Sequence, residues 1–112
     1  MSKNIYKISK SFPHDAEVFE NILYRDDIVI EKIISSGQKT HDKKWLQQDK
    51  DEWVILLQGS AELSFESGES MTLKSGDYIF IPSNLKHRVE RTSAEPVSIW
   101  LAVHMKTEKT EM

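Results

Sequence analysis

Apolar and polar residues in this chain alternate over short segments that are closed by turns. The stretch DIVIEKIIS, Asp27 to Ser35, is rich in β-branched residues and alternates in part, which predicts a strand. EWVILLQG is a continuous apolar run ended by Gly59, the pattern of a strand buried on both faces. SAELSFE alternates strictly, placing Ala61, Leu63 and Phe65 on one face and Glu62, Ser64 and Glu66 on the other. The turn SGE then leads into SMTLK, with Met71 and Leu73 directed to the core.

A second turn, SGD, feeds YIFIP, and Pro82-Ser83-Asn84 turns the chain again into KHRVER. Strict alternation there puts His87, Val89 and Arg91 on one face. TSAEP breaks the pattern, and VSIWLAVH is the last predicted strand, with His104 on the face of Trp100 and Ala102. Near the start, DAEVFENIL fits two templates equally. Val18, Phe19, Ile22 and Leu23 suit a short helix, and the same segment suits a strand. The segment from Ser36 to Asp51 is long, polar and irregular, and carries Trp45. Many short strands with Gly- and Pro-marked turns predict an all-β fold, a small antiparallel β-barrel or jelly roll with little helix. The expected division is an N-terminal strand or extension over 1–26, a barrel over 27–105 and a flexible tail over 106–112.

Composition narrows the function. With 112 residues, 38% apolar and 29% charged, the chain can build one modest core. A net charge of −3 argues against nucleic acid as a partner, since that footprint is basic. There is no cysteine, which removes thiolate metal sites and cysteine nucleophiles. The opening MSKNIYKISKSF has no apolar core of a secretory leader, and runs such as WVILL are too short to span a bilayer. A cytoplasmic protein with no membrane partner is the expectation.

The turn before His87 carries a more specific signal. Gly76, Pro82 and His87 match the second cupin motif, G-x5-P-x-G-x2-H-x3-N, with Asn84 at its second glycine and Arg91 at its last position. Asn tolerates the left-handed conformation best among residues with a side chain. Glu52 and Gly59 keep the E-x6-G spacing that ends the first motif. Across Gly37 to the last strand the chain resembles the small single-domain cupins, and it is similar to those whose first motif reads as in WLQQDKDEWV. The resemblance implies a jelly roll, a small-molecule ligand and a homodimer, joined through sheet faces or an exchanged strand such as NIYKIS.

The resemblance also implies a metal site, and here the sequence departs from it. Both histidines of the first motif are missing. Their positions hold Leu46 and Gln48, or Trp45 and Gln47, depending on the spacing counted back from Glu52. The implied ligands are then Gln48, Glu52 and His87: one amide oxygen, one carboxylate and one imidazole. That set predicts a pocket first, with a divalent metal ion held only weakly. His41 or His104 is a candidate to complete it, and Gln47, Arg91 and His104 are candidate pocket residues. Arg91 suits a substrate carboxylate, or pairing with an acid such as Glu52. The alternative for His87 is a buried ring hydrogen-bonded to Glu52 with no metal. For function, the expectation is a small-molecule-binding protein, and the alternative is a metal-dependent enzyme, an oxygenase, isomerase or lyase acting on a small polar substrate.

Overall fold

The computed structural model describes residues 1–107. Eight strands appear in order: β1 (Val18–Tyr24), β2 (Ile28–Ser35), β3 (Asp51–Gln58), β4 (Ser60–Phe65), β5 (Ser70–Lys74), β6 (Tyr78–Ile81), β7 (His87–Thr92) and β8 (Ser98–Met105). The described residues contain no helix, so the ambiguous segment near the start is a strand. Five strands form one sheet in the order β1-β2-β8-β3-β6, and three form the facing sheet, β5-β4-β7. All pairings are antiparallel, the arrangement of a jelly roll.

The core lies between the sheets. Val54, Leu56, Trp100, Ala102 and Ile81 come from the larger sheet, and Ala61, Leu63, Phe65 and Leu73 from the smaller. β4 follows its sequence pattern residue for residue, with Ala61, Leu63 and Phe65 buried. β3 does not. Val54 and Leu56 are buried, whereas Trp53, Ile55 and Leu57 on the other face are only half-buried. A continuous apolar run therefore marks a strand with one face in the core and one facing outward.

The N-terminal residues before β1 form turns and coil, NIYKIS among them. They reach the barrel through Lys32, whose Nζ donates to the Lys7 carbonyl at 2.8 Å. At the other end, five residues of the expected tail, 108–112, lie outside the described residues.

The irregular segment between β2 and β3 has a definite path along the free edge of β7. Thr40 N–H donates to the Val89 carbonyl at 2.9 Å, and Leu46 and His87 exchange both backbone hydrogen bonds. This lays Trp45 to Gln48 across one end of the barrel.

Candidate ligand pocket

His87 owes its place to the turn before it. Asn84 adopts φ +65°, the left-handed conformation its side chain tolerates, and its N–H donates to the Gln48 carbonyl at 2.7 Å. One residue on, Leu85 N–H donates to the Pro82 carbonyl at 3.2 Å. The chain thus enters β7 with His87 turned inward, 6% exposed, its ring beside Phe65 at 6.5 Å between centroids. Its Nδ1 lies 2.9 Å from the Leu85 carbonyl. A carbonyl only accepts, so Nδ1 carries the proton and, in the neutral ring, Nε2 presents a lone pair to the cavity.

Opposite stand groups from the larger sheet. Register sets Glu52 of β3 directly across from His104 of β8, and Glu31 of β2 diagonal to it. His104 Nε2 is 2.9 Å from Glu31 Oε1, and Gln48 Nε2 is 3.1 Å from His104 Nδ1. An amide nitrogen only donates, so Nδ1 accepts and the imidazole proton sits on Nε2, given to Glu31. The second amide proton of Gln48 goes to Glu52 Oε1 at 3.3 Å. Turning the amide over would set its oxygen against that carboxylate. Burial, the largest effect, raises the pKa of Glu52; His104 and His87 pull it down, and Glu31 adds to the rise.

These groups line a cavity of about 710 Å³ together with Val54, Leu63, Ile81, Val89 and Trp100. Of the residues expected from sequence, Gln48, Glu52, His87, Gln47 and His104 all border it. Gln47 sits at the rim, donating to the Asn84 carbonyl at 3.3 Å. Trp45 and His41 are also at the mouth, where the Arg88 guanidinium lies 5.8 Å from the Trp45 ring centre.

Arg91 does not border the cavity. β7 pairs Val89 with Leu63 and Arg91 with Glu62, so Glu90 is an extra residue, a bulge that reverses the alternation. Arg91 is exposed and donates to Ser60 Oγ at 3.1 Å, and Thr92 takes the inward place. The direct His87–Glu52 hydrogen bond is also absent among the described contacts: His87 bonds its own turn, and Glu52 is bonded by Gln48. Glu31 is the residue sequence reasoning missed. Its signal was an acid at an inward position, between Val29 and Ile33, in an otherwise β-branched run.

A cation would need lone pairs converging on one point. Here the Gln48 amide points its N–H groups, not its oxygen, at Glu52 and His104, and it already occupies the His104 Nδ1 lone pair. Among the described residues no three His, Asp or Glu side chains are grouped so as to hold an ion. The donor set does not fit a tightly held metal.

The sequence profile of the cupin domain matches residues 34–104, from the end of β2 to His104. The chain is a cupin. Among solved structures, this cupin is similar to a Ralstonia eutropha JMP134 protein given the provisional name mannose-6-phosphate isomerase, at 32% identity and a TM-score of 0.85 over 96% of this chain and 99% of that one. A cupin superfamily protein from Desulfitobacterium hafniense DCB-2 shares the fold at 14% identity, TM-score 0.73, over 87% and 84% of the two chains. Among curated proteins, 47 residues are 36% identical to a segment of the RCS-specific HTH-type transcriptional activator RclR of Escherichia coli K12. That segment is 42% of this cupin and only 16% of the activator.

Proposed function

We propose that this cupin binds a small organic molecule between its sheets and does so without depending on a metal. The observation that carries the reading is the cavity itself: about 710 Å³, within the range of small-molecule sites, with an apolar wall and a few convergent polar groups. His87 Nε2 is held open toward it by the Nδ1 bond to Leu85. Among the described residues the acids and imidazoles of the cavity, Glu31, Glu52 and His87 among them, are not grouped so as to hold an ion, so a divalent ion would be bound weakly. The resemblance to a segment of a transcriptional activator is in keeping with a binding module. The provisional isomerase name of the Ralstonia relative favours a second reading, a metal-dependent enzyme on a small polar substrate.

Protein purified without a histidine tag separates the two. Elemental analysis should find substoichiometric metal, removed by mild chelation. Binding of benzyl alcohol, followed by the fluorescence of the cavity tryptophans Trp45 and Trp100, should survive EDTA. His87→Ala should weaken that binding while keeping the fold, at a stability cost of roughly 1–2 kcal/mol for the lost hydrogen-bonded partner. Stoichiometric metal that resists prolonged EDTA, with binding that needs it, would overturn the proposal in favour of the enzyme.

A further inference from the structure

The floor of the cavity is unusual in how its hydrogen-bond donors are spent. Gln48 uses both amide protons, one on Glu52 and one on His104. His104 gives its ring proton to Glu31, and the His87 Nδ1 proton goes to the Leu85 carbonyl. What remains toward the cavity is a set of acceptors: His87 Nε2, the Gln48 amide oxygen, and the second oxygens of Glu52 and Glu31. None of these has a hydrogen-bond partner among the described residues. None is sealed away either: among the described residues, Arg88 Nε is the one fully buried side-chain nitrogen or oxygen without a hydrogen bond. Of the donors that border the pocket, Lys39 pairs with Asp42 at 3.6 Å, Lys44 and His41 belong to the segment at the mouth, and the indole N–H groups of Trp45 and Trp100 have no hydrogen-bond partner among the described residues.

We propose that the pocket selects ligands by a hydrogen-bond donor head, a neutral hydroxyl or N–H or a cationic amine, carried on a compact apolar body, and rejects ligands that lead with an anion. A floor dominated by acceptors gives a carboxylate or phosphate head little to replace its water, and places it beside two acidic side chains. A donor head finds an unspent acceptor to pair with, while Val54, Leu63, Ile81, Val89 and Trp100 cover the body. The Gln48 amide takes the bridging place between Glu52 and His104 that a cation would otherwise hold. The site is therefore set for its ligand without an ion.

This inference rests on the small-molecule reading above, and its test separates the two. Benzylamine, benzyl alcohol and benzoate share one apolar body and differ only in the head. Each is titrated into metal-free protein while Trp fluorescence is followed, with displacement of one by another as a check on a common site. The expected order is benzylamine and benzyl alcohol ahead of benzoate, by at least about tenfold in Kd between benzylamine and benzoate. Glu52→Gln, which puts an amide donor on the floor, should shrink that ratio. Benzoate binding as well as or better than benzylamine would overturn the donor-head inference while leaving small-molecule binding intact. Binding of none of the three would sink both.

Discussion

Gln48 and Glu52 show how single side chains set the character of this pocket. Glu52 is buried beside Glu31, and the net result is a pKa above its ordinary carboxylate value of 4.5. Ionising Glu52 is therefore costlier in the fold than in the unfolded chain. Its contribution to stability is complete below the unfolded-state pKa and is lost as pH rises through the higher folded-state pKa. Glutamine at this position keeps an oxygen for the Gln48 amide proton and never ionises. Glu52→Gln should accordingly melt above the wild type at pH 7, with the difference shrinking toward pH 4, where both side chains are neutral. A difference in Tm that stays constant across that window, or that favours the wild type at pH 7, would refute the assignment. At this scale the sequence was partly legible. Glu52 and His87 could be placed from motif spacing, since a turn fixed by Pro82 and Asn84 has little freedom. Glu31 could not, because its link to His104 depends on how β2 registers against β8, which no local pattern encodes.

The strands themselves were legible where one residue of sequence meant one step of alternation. β4 and β5 follow their patterns because each face of that hairpin meets a uniform environment. The reading failed at bulges. An extra residue at Glu90 sends Arg91 outward, and another irregularity in β3 lies between Leu56 and Gln58. Nothing in KHRVER marks the bulge, since charged residues are tolerated on either side of it. The glycines closing these elements differ in what they protect. Gly76 has φ +95° with open space where a side chain would begin. Gly59, at the passage from β3 to β4, has φ +93°, and a Cβ there would collide with Ser93 Oγ and meet Ser98 Oγ at 2.9 Å and Ser98 Cα at 3.0 Å. Ser98 is fully buried and bonded to Ser93, so it has no room to give way. Gly76→Ala should cost about 1 kcal/mol, the penalty of the left-handed backbone alone. Gly59→Ala adds overpacking and should cost about 3 kcal/mol or more. Denaturant melts of the two variants decide it, and equal costs would show that the Ser93–Ser98 pair yields.

The molecule as a whole leaves one face unexplained by its own core. On the outer side of the five-stranded sheet, cross-strand register lines up Leu23, Ile30, Val103, Trp53 and Phe80 in one row that crosses all five strands. A second row holds Tyr78, Ile55 and Leu101 before it meets Lys32. Tyr78 and Phe80 are 66% and 52% exposed, so both rows run openly to the β6 edge. This is why the WVILL run reads as doubly buried although one of its faces is open: both of its faces are apolar. A contiguous apolar band of this kind is uncommon on a protein that stays monomeric. We propose that a second copy covers it, sheet face to sheet face about a two-fold axis, because a row of like side chains is self-complementary under that symmetry. Sedimentation at micromolar concentration should then give twice the 13.0 kDa of one chain. Tyr78→Glu with Phe80→Glu changes only side chains already facing solvent in the single chain, so it should leave the melting curve of the barrel little altered while returning the mass to 13.0 kDa. A wild type that sediments as a monomer would end the proposal. A dimer untouched by the double substitution would place the contact elsewhere and leave this apolar face without a partner.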